Sequence, residues 1–155
     1  MLLIKENVRL LLGAIVVLFA VVLIITLLVT GGKTTTAQIN NQTFKVEVAK
    51  TETERQIGLS DKENLSADQG MLFVFDSPDY HSFWMKDMKF PIDIIYLSGE
   101  KVVTVVENAE PPISPNENLV IYQPEEKADR VLEVSAGTAQ KYKITKGSVV
   151  KVKNL

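Results

Sequence analysis

Apolar residues are unevenly spread along the chain. Residues 10–30 form a charge-free run dominated by Leu, Val and Ile, with Gly13 as the only glycine inside it and no proline. At about 1.5 Å per helical residue the run would reach roughly 31 Å, close to the hydrocarbon thickness of a bilayer. A buried core helix of that length is seldom apolar all round. The h-region of a cleaved signal peptide is usually shorter, about 7–15 residues. The pattern therefore predicts a transmembrane helix over 10–30. Beyond it the pattern changes to short apolar stretches punctuated by turn residues.

Asn40-Asn41 lies between Ile39 and Phe44 and reads as a hairpin turn. Phe44, Val46 and Val48 alternate with Lys45 and Glu47, the mark of a half-buried strand. Thr51 and Glu54 have capping-box spacing, so a short helix should start there and end at Gly58. The apolar run 70–75 reads as a central strand. Further strands are expected at 81–86 and 92–97, separated by Pro91. Ser98-Gly99 should turn the chain into another at 101–107. Pro111, Pro112 and Pro115 mark an irregular loop. Short strands are expected at 119–122 and 130–134, then helical turns over 135–142 with Ser135 as N-cap. Gly147 should lead into a last strand at 149–152. The expected fold class is mainly β (α+β): a compact antiparallel barrel or sandwich of about seven or eight short strands with one or two short helices, behind one transmembrane helix.

Charge adds orientation. Lys5 and Arg9 precede the apolar run, which places residues 1–9 in the cytoplasm by the positive-inside rule. Residues 31–37, Gly-Gly-Lys-Thr-Thr-Thr-Ala, read as a linker, and 38–155 as an extracytoplasmic domain. The alternative is a secreted domain, cleaved near Thr35-Thr36-Ala37. Of 17 basic and 19 acidic residues, Lys5, Arg9, Lys33 and Glu6 precede residue 34, so 34–155 has 14 against 18, a net −4. Such a unit is a poor partner for nucleic acid. The expected partners are the lipid bilayer, through 10–30, and a small molecule or envelope protein. With no cysteine and a single histidine, thiolate chemistry and disulfides are excluded, and neither a cofactor nor a metal is expected.

One block concentrates polar and aromatic chemistry. On strand 92–97 Asp93 points into apolar surroundings whichever face is inward, so its carboxylate needs donors or a cation. It is either a general base or ligand anchor, or it accepts N–H groups from 86–90 or pairs with Lys86 or Arg55. Trp84 and Lys86 share one face of their segment, with Phe83 and Met85 on the other. The pair could stack on and hold an anionic or sugar-like ligand, while a lone Trp is also a common core residue. Arg55 reads as an ion-pair or cap partner, with a ligand carboxylate as the alternative. His81 reads as a solvated loop residue and Glu133 as facing solvent. Asp76, Asp79, Asp87 and Asp93 lack the spacing of a calcium loop.

The chain resembles a known family through residues 53–59 (Thr-Glu-Arg-Gln-Ile-Gly-Leu), Gly70-Met71-Leu72-Phe73-Val74-Phe75, Phe83-Trp84-Met85-Lys86-Asp87-Met88 and Pro91-Ile92-Asp93-Ile94. Val131-Leu132-Glu133-Val134, Ala136-Gly137 and Lys146-Gly147-Ser148-Val149-Val150 complete the set. In this order they resemble the domain of unknown function 192 family over about 44–152. The resemblance implies a compact, mainly β domain, often behind a signal peptide or anchor, and brings no established activity. The family usually has Lys-Asn-Thr at 86–88 and Gly-Asp at 147–148, where this chain has Asp87, Met88 and Ser148. The expected function is a non-catalytic binding module, with Trp84, Lys86, Asp87, Asp93 and Arg55 as its candidate surface. The rival is an envelope-acting hydrolase using Asp93, exposed in a cleft, as general base. A third reading is an assembly factor with an exposed apolar patch and no cavity.

Overall fold

The computed structural model describes residues 13–24, 33–114 and 118–155. The expected cytoplasmic tail, residues 10–12 and 25–30 of the expected span, the first two linker residues and Pro115 lie outside the described residues. The chain divides into two compact units, Met1–Lys33 and Thr34–Leu155. In the first, residues 13–24 are helical, with Ile15, Leu18 and Phe19 exposed. Among the described residues no helix is long and apolar enough to cross a membrane.

Among the described residues the second unit holds seven strands and two short helices. They are β1 (Thr36–Ile39), β2 (Gln42–Ala49), α1 (Glu52–Ile57), β3 (Gln69–Asp79), β4 (Ile92–Ser98), β5 (Lys101–Ala109), β6 (Ala128–Ser135), α2 (Thr138–Tyr142) and β7 (Val150–Lys153). The sheet order is β5-β4-β6-β3-β2-β1-β7. Every neighbouring pair is antiparallel except β2 and β3, which run parallel because the crossover through α1 returns the chain to the same end. The two outer strands meet where Val102 N–H donates to Ser148 O at 2.9 Å and Val150 N–H to Glu100 O at 2.8 Å. The sheet thus curls into a half-barrel whose two edge strands touch at one end.

Local chemistry explains the joints. Asn40 takes a left-handed φ of 51° in the β1–β2 turn, a conformation asparagine tolerates. Thr51 Oγ1 accepts from Glu54 N–H at 3.2 Å while the Glu54 carboxylate accepts from Thr51 N–H at 2.8 Å, so α1 starts with a complete capping box. The expected sequence features differ from the structure at four places. Thr36 and Ala37 belong to β1 rather than to a linker. Segments 81–86 and 119–122 are not strands: Phe83 and Tyr122 form an isolated bridge between them. Ser135 ends β6 and donates to Leu65 O at 3.0 Å, so Gly137, not Ser135, precedes α2.

Both faces of the sheet are covered. One cluster holds Phe44, Leu72, Ile95, Leu97, Leu132 and Ile144. The other holds Leu59, Phe73, Met85, Ile94, Tyr96 and Val131. All seven strands and both clusters lie within 36–153, so the second unit has a complete core of its own. Gly70 sits where β3 passes β6, and a Cβ there would meet Glu133 O at 2.6 Å. That carbonyl is backbone and cannot swing away. Gly70→Ala should therefore destabilise the domain by about 1–3 kcal/mol. Urea unfolding checks this, and an unchanged midpoint would show that the two strands separate easily.

Candidate functional site

The alternation of β4 and β6 sends two acidic side chains to opposite faces of the sheet. Asp93 shares a face with Ile95 and Leu97, and Glu133 lies opposite Met71 and Ile94 on the other. Both are buried, yet their surroundings differ completely.

Asp93 is 0% exposed. Its Oδ1 accepts from Asn108 N–H at 2.8 Å and Gly137 N–H at 3.2 Å, and its Oδ2 accepts from Ala139 N–H at 2.7 Å. Gly137 has no side chain to cap α2, so Asp93 supplies the acceptor from β4. The expected donors, the 86–90 backbone, Lys86 and Arg55, are not the ones used. A sealed carboxylate with both oxygens engaged cannot take a proton from a substrate, which overturns the hydrolase reading based on Asp93 as base. It also removes Asp93 from the candidate binding surface.

Glu133 is 5% exposed, so the expectation of a solvated side chain is wrong. β6 lies between β3 and β4, and both faces of this central strand are covered. Burial pushes the Glu133 carboxyl up to about 8 from 4.5, with no hydrogen bond from a described residue offsetting it. Every fully enclosed side-chain nitrogen and oxygen among the described residues has a partner, so the Glu133 carboxyl is not sealed. It opens into a cavity of about 380 Å³. Burial, and to a lesser extent the Glu133 charge, also pushes the Tyr96 hydroxyl well above its usual value. That hydroxyl donates to Tyr122 O at 3.0 Å.

The cavity lies between α1, β3 and the 81–88 segment. Phe83 organises its aromatic wall through edge contacts with Phe73 at 5.0 Å, Tyr96 at 5.9 Å and Phe75 at 6.4 Å between ring centroids. His81 is not a free loop residue: its ring stacks on Phe75 at 3.6 Å, and its Nε2 lies 3.2 Å from Ser77 O. Phe83 and Met85 point to the core while Trp84 and Lys86 point out, as their alternation predicts. Trp84 is 50% exposed and borders the cavity, so the alternative of a core tryptophan does not hold. The presence of a cavity also argues against the pocketless assembly factor.

Arg55 borders the cavity from α1. Its guanidinium donates to Lys50 O at 2.5 Å, to Val74 O at 3.1 Å and to the Glu52 carboxylate at 3.0 Å, and lies 5.0 Å over the Phe75 ring. It fastens α1 to β3 and presents a largely neutralised edge to the cavity. Asp87 is exposed, is not among the cavity residues, and holds a left-handed φ of 59° in the turn closed by Met88 N–H to Met85 O. Asp and Asn both tolerate that conformation, so the departure from the usual Asn preserves the turn. Ser148 preserves its joint too, since its Oγ accepts from Thr145 N–H at 3.0 Å. The structure thus brings Arg55, Trp84 and Lys86 together, leaves out Asp87 and Asp93, and adds Glu133, His81 and the phenylalanine wall.

The second unit is a β half-barrel with a buried carboxyl lining an aromatic cavity. The chain belongs to the domain of unknown function 192 family, described as an uncharacterised conserved family, whose profile matches residues 34–152. A Novosphingobium aromaticivorans protein of unknown function has the same fold, with 27% identity, a TM-score of 0.66, and coverage of 75% of this chain and 83% of its own. A proposed transcription regulator of Sinorhizobium meliloti matches at 25% identity and a TM-score of 0.69, over 79% of this chain and 96% of its own. No curated protein matches the chain.

Proposed function

We propose that residues 34–155 are a non-catalytic binding module for a small molecule, with the Glu133 cavity as its site. One observation carries the reading. A carboxyl that is 5% exposed has no described hydrogen-bond donor and opens into a 380 Å³ cavity. Buried polar groups are normally satisfied within the protein, and one left open to a cavity is available to a ligand. The cavity volume falls in the range of small-molecule pockets, about 300–1,000 Å³. The Sinorhizobium protein is described as a transcription regulator; direct nucleic-acid binding fits poorly with a unit of net charge −4 (14 basic against 18 acidic residues). The test is two-dimensional NMR on 34–155 against small amines, acids, sugars and aromatic alcohols. At least one class should shift the Trp84 indole and Phe83 signals together. If none does, the pocket reading fails.

The same proposal holds the module outside the cell membrane on a helix over 10–30. It is supported by the charge-free apolar run and by the exposed apolar side chains of the helical residues 13–24. The full chain should stay with membranes after alkaline carbonate washing, and protease added outside intact cells should remove 34–155. Release of the intact chain by the wash would contradict the anchor.

A further inference from the structure

The charged groups around the cavity are unequal in their partners. Arg55 is matched by Glu52 at 3.0 Å. Lys86 lines the same cavity, yet no described acid pairs with it. Glu133 at the floor is the opposite case, an acid with no described donor. The cavity lining therefore holds one unmatched acid that is buried, one unmatched cation that is exposed, and several aromatic rings. We propose that it takes a small amino acid-like zwitterion, with the ammonium group on the Glu133 carboxyl and the acidic group on Lys86. The proposal rests on the pocket reading and names the ligand chemistry for it.

The physical case has three parts. An ammonium group offers the floor carboxyl the charge-assisted hydrogen bonds that no described residue supplies. The lining includes Phe73, Phe83 and Trp84, and an aromatic ring holds a cation better than bare hydrocarbon because its quadrupole is negative at the face. An anion alone would meet Lys86 but leave Glu133 unsatisfied, and a simple amine would satisfy Glu133 while leaving Lys86 idle. Only a ligand with both groups matches both ends. A neutral ligand gains at most the contact with Lys86.

The test uses four straight-chain probes of similar length: 6-aminohexanoate, hexylamine, hexanoate and hexanol. Binding to 34–155 is read from the fluorescence of Trp84, the chain's sole tryptophan, and from NMR shifts at residues 83–86. 6-Aminohexanoate should bind about tenfold or more tightly than either single-charge probe. Glu133→Gln should remove its advantage over hexanoate, and Lys86→Ala its advantage over hexylamine. Equal binding of hexanoate and 6-aminohexanoate, or an advantage that survives Glu133→Gln, would overturn the zwitterion while leaving the pocket reading standing. If none of the four probes moves the residue 83–86 signals, the zwitterion falls; the pocket reading falls with it only when sugars and aromatic alcohols also leave those signals unmoved.

Discussion

Replacing Glu133 with Gln will stabilise the domain near pH 8 and leave it almost unchanged near pH 4. The carboxyl is raised by burial from 4.5 to about 8. Below 4.5 it is protonated in both the folded and unfolded chain, so its contribution to stability is fully present there. As pH rises, the unfolded chain gives up this proton first. The unfolded state then binds fewer protons than the native state, and stability falls until the native group also ionises near 8. At 1.36 kcal/mol per unit, the loss across that window is on the order of 5 kcal/mol. Gln keeps the size and hydrogen-bonding capacity of the neutral acid without the titration. Urea unfolding of both proteins at several pH values measures the difference, in which the other carboxylates cancel. Parallel stability curves would show that Glu133 is solvated in the native state. A residue that weakens the fold at neutral pH is retained for something other than folding, as expected of a binding group.

Asp93 should behave in the opposite way. Asp93→Ala removes the acceptor for three backbone N–H groups, from Asn108, Gly137 and Ala139. These donors lie at the end of β5 and the start of α2, with no other described acceptor replacing the lost oxygens. Each unsatisfied buried donor costs about 1–3 kcal/mol, and the side-chain cavity adds to that. A total loss of about 3–5 kcal/mol is expected, in line with other broken buried networks. Asp93→Asn keeps one acceptor but turns an amide N–H toward a backbone donor, so it should rescue little. Amide exchange gives the specific signature: Asn108, Gly137 and Ala139 should exchange faster than their strand neighbours. A loss under about 1 kcal/mol would mean that water or a shifted backbone satisfies these groups instead. Where the variant is still folded, its ligand binding should match the wild type, because Asp93 lies on the other face of the sheet from the cavity.

Local chemistry made much of the fold legible. The Asn40-Asn41 turn, the Thr51–Glu54 capping box and the alternation of 83–86 each depend on residues a few positions apart. The misread strands at 81–86 and 119–122 have strand-like side chains, but pairing depends on what lies alongside, which periodicity does not encode. Asp93 was legible as a buried acid because both faces of its strand are apolar. Its partners were not, since they lie 15 to 46 residues away in sequence. Glu133 was misread because Leu132-Glu133-Val134 looks like a strand with one wet face. The order that sets β6 between β3 and β4 leaves it none. The available signal was the one used for Asp93: Val131, two positions away on the same face as Glu133, is apolar. Trp84, Lys86 and Arg55 were identified as candidates, but the cavity that joins them is made by α1, β3 and the 81–88 segment together.

The central claim is that Glu133 is a buried, neutral acid facing a ligand cavity. Its side-chain carboxyl carbon, followed by ¹³C NMR through a pH titration of 34–155, tests this most directly. The account predicts a midpoint near 8, and saturating 6-aminohexanoate at pH 7 should move the signal to its ionised position. A midpoint in the ordinary carboxylate range, with a signal that ignores the probe, would contradict it.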